Sequence, residues 1–370
     1  MKGMHGIIFS YEKKTELGTL TDQRIYGSVP YGGDYRVVDF MLSNMVNAGI
    51  TDVGVIMHGK CQSMLDHLGT GKHWDLSRKY GGLKLLPAFA YQENRESGGQ
   101  FRGKLEALGC VMDYLRHIRQ DYVVLADSDI VTNIPLKDVL ESHIASGADM
   151  TCVCTSRPGR PADTYFTLDI TGRIVEVAYD VNTPAGYQSL NIFIMSRELL
   201  LGMVQNAMAQ NNYGWRRHIL QDKCGTLNMR GYVWDSFAAR IDTVQDYYNR
   251  SMDLLRPDIR AELFNPQRPV YAKENDAAST YIDPAVECVN SLISDGCDIQ
   301  GSVRNSIIFR GVKVEKGACV ENCILFKDSV VKAGATVRNV IADKNVVFSQ
   351  NTSMMGHEHY PVVVAKNSVI

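Results

Sequence analysis

At 370 residues and a net charge of −2, the chain is too long for one ordinary core and is expected to carry two domains. It has no long basic run, so neither nucleic acid nor an anionic membrane surface is a natural partner. No stretch approaches eighteen consecutive apolar residues, which argues against a membrane-spanning helix, and the opening MKGMHGIIFSYEKK lacks the apolar core and cleavage site of a secretory leader. The nine cysteines are scattered, with Cys152 and Cys154 two apart and Cys319 and Cys323 in a second β-rich region. Without a Cys-x-x-Cys pair, free core thiols in a reducing cytoplasm are expected rather than zinc or a disulfide framework.

The chain opens with an apolar strand at Gly6-Ile7-Ile8-Phe9-Ser10. After a long loop containing Gly32-Gly33 and Tyr35-Arg36, a helix is predicted from about Val38 to Ala48. Val38, Met41, Leu42, Met45 and Val46 fall on one face of it. Up to residue 255 strand and helix then alternate. Strands are predicted at Asp52–Met57, Leu83–Phe89, Tyr122–Leu125, Met150–Thr155 and Leu190–Met195. Helices are predicted at Gln62–Leu68, Lys104–Arg119, Lys137–Ala145, Arg197–Gln210, Arg217–Asp222 and Thr243–Leu255. Strands apolar on both faces need cover on both, which makes a mixed sheet flanked by helices the economical solution. Thr164–Asp180, with Asp169-Ile170-Thr171-Gly172 between β-rich runs, predicts a hairpin at the sheet edge.

Residues 256–290 shift in composition. Pro257, Pro266, Pro269 and Pro284, with Asn265, Asn275 and Asp276, predict a connector. Beyond it, from about residue 291 to 370, apolar residues recur every six positions: Ile293 and Ile299; Ile308, Val314 and Val320; Leu325, Val331 and Val337; Ile341 and Val347. Gly296, Gly317 and Gly334 lie between them. That beat predicts a left-handed parallel β-helix, each hexad forming one flat side of a triangular coil. The phase resets after Ile299, Val320 and Val337, so the coil is irregular. A small antiparallel sandwich would show strict alternation instead. Tyr360–Ile370 is expected to cover one end of the coil or to meet another subunit.

The run Gly-Gly-x-Tyr-Arg-x-x-Asp-Phe-x-Leu-Ser-Asn-x-x-Asn-x-Gly-Ile from Gly32 to Ile50, with Leu20-Thr21, Arg24 and Val29-Pro30 before it, resembles the glucose-1-phosphate adenylyltransferases, the ADP-glucose pyrophosphorylases. The closing helix Asp246–Leu255 is similar too. The resemblance implies a Rossmann-like nucleotidyltransferase domain followed by the coil, and a reaction that joins glucose 1-phosphate to ATP with release of pyrophosphate. Such a reaction needs a glycine loop around the triphosphate, basic groups against its charge, and two carboxylates holding Mg²⁺.

This sequence departs from that pattern at each of these sites. The family's Gly-Gly-x-Gly-x-Arg-Leu falls on Tyr11 to Leu17, which places Glu16 where the arginine belongs and removes every loop glycine. The family's Arg-Ala-Lys-Pro becomes Arg24-Ile25-Tyr26-Gly27, so Tyr26 replaces a lysine. Ser128 stands at the first metal aspartate, flanked by Asp127 and Asp129, and Arg240 stands at the second. The sugar-phosphate lysine falls on Asp180. In the family's Gly-Thr-Ala-Asp-Ala segment, Gly103 is kept and Lys104 replaces the threonine.

These losses are scattered along the chain yet would converge on one cleft, while the scaffold around them is kept. The chain thus resembles the D-type subunit of the two-gene pyrophosphorylases of Gram-positive bacteria. That implies a catalytically impaired, regulatory subunit of a mixed tetramer with a catalytic partner, cytoplasmic, with a homodimer as the form alone and a sugar phosphate as effector. No bound cofactor and no metal are expected. The alternative is an active enzyme with a relocated Mg²⁺ site built from Asp127 or Asp129 with Asp235. Remnants of the nucleotide and sugar cleft are Arg36, Asp39, His58, Lys60 and Gly103. An acyltransferase, a chemistry hexapeptide coils often serve, would need a general-base histidine on the coil, and only His357 and His359 lie near it.

Overall fold

A computed structural model describes residues 3–11, 16–87, 101–157, 159–182, 185–274 and 276–370. The expected strand end at Phe89 and the loop residues Glu12–Thr15 lie outside them.

The opening strand, Met4–Tyr11, is buried along almost its whole length and pairs in parallel with Asp52–His58 on one side and Tyr122–Asp127 on the other. Gly82–Pro87 extends the sheet past Asp52–His58. Tyr187–Ser196 then runs antiparallel to Tyr122–Asp127 and also pairs with Met150–Thr155 and with the hairpin of Thr164–Leu168 and Ile174–Tyr179. The hairpin therefore sits at the sheet edge, as its turn sequence predicts. Met229–Val233, a strand too weakly patterned to be predicted, pairs in parallel with Met150–Thr155.

Two apolar cores cover the faces of this sheet. One gathers Phe9, Leu125, Phe193 and Trp215; the other gathers Ile8, Met41, Val55 and Ile194. The helix Val37–Asn47 fits the second because Asp39 caps its first turn, accepting from Arg36 N at 2.8 Å, while Met41, Leu42 and Met45 face the sheet. The predicted helix Lys104–Arg119 is broken. Lys104–Cys110 and Met112–Arg116 are separate helices, because at Val111 the amide bonds to Leu108 O, one residue short of a helical turn. The predicted Arg217–Asp222 helix is a π-helical turn at Arg216–Gln221.

The connector begins as structure: Pro257–Leu263 is a helix with proline in its first turn, and Ile259 and Leu263 are buried. The coil starts ahead of residue 291, with strands at Tyr281–Ile282 and Cys288–Val289. It has three faces, each a parallel sheet of five strands, and is a left-handed β-helix. Val303, Val320 and Val337 stack directly above one another. Their spacing of seventeen residues is one short of three hexads, and that deficit is the phase reset seen in the sequence. It also moves two residues off the expected beat. Phe348, not Val347, stacks over Val331 inside the coil. Ile341 stacks on Ile324 and faces outward, because the slip turns Val340 and Ala342 inward. Val362–Val364 completes the third face, and Val369 bridges to Val347, so the C-terminal segment closes that end of the coil.

The outward row Ile307, Ile324 and Ile341, with Phe309 and Phe326, packs on Tyr31, Phe40, Tyr247 and Leu254 in a third core. Tyr247 Oη donates to Pro30 O at 2.7 Å, and Tyr248 Oη donates to Asn322 O at 2.8 Å. The buried Arg24 guanidinium meets both oxygens of Asp343 at 2.9 Å. The two domains thus share a core and a buried ion pair.

Candidate functional site

Parallel strands carry ligands at their C-terminal ends. Here those ends bring Tyr11 and Asp127 to a cavity of about 360 Å³ that Gly103, Lys104, Asp180, Asn191, Arg216, Arg217 and Arg240 also line. Two of these are cations at the centre. Lys104 Nζ lies 2.8 Å from Asp127 Oδ1 and near the faces of Phe9 and Phe193, while Asn191 Nδ2 donates to Asp127 Oδ2 at 3.1 Å. Asp127 is therefore held by a lysine and an amide.

Arg240 is placed by a two-stranded ribbon, Ala238–Arg240 against Ile130–Thr132, neither strand of which the sequence pattern announced. The ribbon sets its guanidinium among three aspartates: Asp163 at 3.0 Å, Asp242 at 2.9 Å and Asp129 at 3.8 Å. Burial works against this charge, but Asp129, Asp242, Asp163 and Asp127 outweigh it and raise the Arg240 pKa above its usual value. Arg160 closes the ring from outside. It pairs with Asp242, reaches Asp246 at 3.3 Å, and its amide donates to Asp163 at 2.8 Å.

Ser128 does not face this ring. Its hydroxyl donates to Ser10 Oγ at 3.0 Å, and a Cβ on Gly27 would lie 2.7 Å from both hydroxyls, so a glycine is needed there. Tyr26 is buried in the third core, and its hydroxyl has no hydrogen-bond partner among the described residues. Burial first, then the nearby charges of Asp129 and Asp242, push its pKa far up. Glu16 is exposed and not among the residues lining the cavity, its backbone bridging to Thr243 at the start of the closing helix. Gly103 is kept for packing: a Cβ there would lie 2.0 Å from Tyr213 O.

The remaining predicted residues fall elsewhere. Asp235 accepts from Ser156 N and Oγ at the surface and is not among the residues lining the cavity. His58 packs against Phe101, and Lys60 lends its carbonyl to Ile25 N. Arg36 lines a second recess, between the domains, with His67, Lys273, Arg310, Lys327 and Lys344, and the fully buried Asp39 lies behind it. There Asp39 Oδ1 lies 2.6 Å from His67 Nε2, and Arg36 Nη1 donates to Ser63 O at 2.6 Å. Burial lowers the Arg36 pKa to about 10 and, joined by the charges of Arg36 and Arg24, the Lys344 pKa to about 8.

Asp163, Arg160 and Asn191 escaped the sequence reading. Asp163 and Arg160 belong to the approach to the edge hairpin, whose turn pattern says nothing of ion pairs. Asn191 is reached only because the strand carrying it begins at Tyr187 and crosses beside Asp127.

Residues 6–179 match a family model described as nucleotidyl transferase, and residues 278–360 match a GlmU-like, C-terminal hexapeptide model. The chain is 37% identical to the glycogen biosynthesis protein GlgD of Bacillus subtilis over 99% of its own length and 96% of that protein's. It is 29% identical to a glucose-1-phosphate adenylyltransferase of Thermosipho africanus, covering 87% of this chain and 78% of that one. It is 28% identical to one of Thermotoga neapolitana, covering 87% and 77%. The chain belongs to the glucose-1-phosphate adenylyltransferase family. Within that family it resembles GlgD over nearly its full length.

The family's reaction calls for Mg²⁺ between two carboxylates, and the residues of this cleft do not fit such an ion. Ser128 is turned to Ser10, Arg240 fills the space among the aspartates, and Lys104 occupies Asp127. Among the described residues no three or more His, Cys, Asp or Glu side chains surround a point where a metal could sit.

Proposed function

We propose that this chain is the regulatory, catalytically impaired subunit of a glucose-1-phosphate adenylyltransferase in glycogen biosynthesis. It acts in the cytoplasm by raising the activity of a catalytic partner in a hetero-tetramer, and forms a homodimer alone. The observation that carries this reading is the Arg240 guanidinium seated among Asp129, Asp163 and Asp242. A cation there repels the ion that phosphoryl-group transfer needs. The likeness to GlgD supports the pathway. The shared core between the domains offers a rigid link from the recess that holds Arg36 and Lys344 to the cleft, and a sugar phosphate is the effector its cations suit.

The test is co-expression with a catalytic subunit from the same genome. Pyrophosphate release from ATP and glucose 1-phosphate is measured for each chain alone and for the purified mixture, with and without sugar phosphates. The expected result is negligible turnover by this chain alone and a several-fold gain in the mixture. Turnover by this chain alone at the partner's rate would overturn the reading. The alternative, an active enzyme with a relocated metal site, would also predict that Asp129→Asn abolishes Mg²⁺-dependent turnover. Asp235, its required second carboxylate, is bound to Ser156.

A further inference from the structure

We infer that a cavity at the end of the sheet opposite the cleft binds a neutral pyranose ring, held by His5, Asp52 and Tyr80. It has a volume of about 320 Å³, and Gly81, Lys84, Tyr114, Ile118 and Gln120 also line it. The opening strand runs between the two places: Tyr11 lies at the cleft, and His5 lies about 20 Å earlier along the strand.

Two glycines make room for this cavity. On Gly54 a Cβ would lie 2.8 Å from the Tyr114 ring, so the bare backbone lets that ring settle on the sheet with its hydroxyl 2.9 Å from His5 Nε2. On Gly81, where φ is +79°, a Cβ would press on Asp52 Oδ1 and cover the carboxylate. Gln120 Nε2 donates to Asp52 Oδ2 at 2.7 Å, while Oδ1 makes no hydrogen bond among the described residues. His5 is 3% exposed, and its Nδ1 has no hydrogen-bond partner among them. A buried polar atom left unpaired costs about 1–3 kcal/mol, which a ligand reaching it would recover.

The lining selects the ligand's chemistry. Burial lowers the His5 pKa to about 4 against the pull of Asp52 and Gln120, so the ring is neutral near pH 7. In a neutral imidazole one nitrogen donates and the other accepts. A hydroxyl serves Nδ1 in either tautomer, and it also donates to Asp52 Oδ1. The carboxylate stands against a free anion, and Lys84 stands against a free cation. Tyr80, 82% exposed, and Ile118 offer apolar surface to the C–H face of a sugar ring. A neutral polyol with one apolar face meets all of these demands. The glycogen reading above selects glucose among pyranoses; the cavity itself does not depend on it.

The experiment uses the full chain and maltotriose, read by saturation-transfer NMR on the sugar protons. Wild type should bind with a Kd of about 1 mM, and Asp52→Ala and Tyr80→Ala should each weaken binding at least about tenfold. Tyr360→Ala, which removes an equally exposed ring on the coil, should leave it unchanged. If Asp52→Ala unfolds early by circular dichroism, the exposed Tyr80 makes its own variant decisive. Absence of transfer to wild type, or unchanged binding by a folded Asp52→Ala or Tyr80→Ala chain, would overturn the inference. So would equal weakening by Tyr360→Ala, or displacement of maltotriose by inorganic phosphate at matched ionic strength, which would mark an anion site. None of these outcomes alters the co-expression result, so the two readings can fail separately.

Discussion

The cleft and the recess between the domains are both crowded with charge, and they handle it in opposite ways. In the cleft every central charge has a fixed counterpart: Lys104 on Asp127, Arg240 among Asp129, Asp163 and Asp242, and Arg160 across Asp242 and Asp246. In the recess the acids are used up by specific partners, Asp343 by Arg24, Asp34 by Arg310 and Asp39 by His67, while Arg36 and Lys344 remain as half-buried cations of depressed pKa. Internal pairing removes the need for a ligand. Excess like charge keeps that need, because an anion there relieves repulsion that the fold otherwise tolerates.

The buried pair at the domain junction should give the largest effect. Arg24 and Asp343 are 4% and 3% exposed, and they join the α/β domain to the coil. Asp343→Ala leaves a buried guanidinium without its partner and is expected to cost about 3–5 kcal/mol in urea unfolding. Replacing both residues with apolar ones, Arg24→Met with Asp343→Leu, should return most of that loss. If the single change costs no more than a surface substitution, the pair contributes little to the domain junction.

How much of this contrast the sequence announces depends on how locally each feature is encoded. Arg240 is legible because it stands seven residues before Tyr247, and the Tyr247-Tyr248 pair of the closing helix anchors the count. The Gly32–Ile50 stretch is legible because its helix, cap and glycine turn are all set within it. The ribbon that aims Arg240 is not: Ile130–Thr132 and Ala238–Arg240 are three residues each, too short for alternation to register, and pair across more than a hundred positions. Asp163 and Arg160 are invisible for the same reason. In the coil, the hexad beat reveals the fold, but a turn of seventeen residues hides which of Val347 and Phe348 faces in. The helix at Pro257–Leu263 is masked by its proline, which serves as its first residue, and by Pro266 and Pro269 beyond its end.

A smaller effect is expected where the recess meets the first helix. Asp39 caps that helix through Arg36 N and holds His67 through its other oxygen. Asp39→Asn keeps the size but weakens both bonds, and should cost about 1–2 kcal/mol. Burial already lowers the His67 pKa against the pull of Asp39, so the variant should lower it further, readable by NMR titration of the imidazole. An unchanged titration would mean that the carboxylate does not act on His67, and that the recess is less tightly coupled than the cleft.

The finest discrimination between the two regions is their response to anions and pH. Inorganic phosphate should raise the unfolding temperature through the recess, by the mass-action gain of roughly 1 kcal/mol when it reaches several times its Kd. Lys344 →Gln should remove most of that gain, whereas neutralising the cleft cation with Arg240→Gln should leave it. The pH dependence follows from Lys344, whose pKa falls from 10.5 unfolded to about 8 folded. Below about 8 the amine is charged in both states and its repulsion with Arg36 and Arg24 is present in full. Between about 8 and 10.5 the unfolded chain binds the extra proton, so stability without phosphate gains from this group as pH rises. The phosphate effect runs the other way, fading as pH climbs through about 8 and the recess loses a charge. A bound anion raises the Lys344 pKa, so phosphate uptake near pH 8 should be accompanied by proton uptake, measurable by calorimetry in buffers of different ionisation enthalpy. Phosphate stabilisation that persists unchanged to pH 9, or that survives Lys344→Gln, would place the anion elsewhere and erase the contrast between a satisfied cleft and an unsatisfied recess.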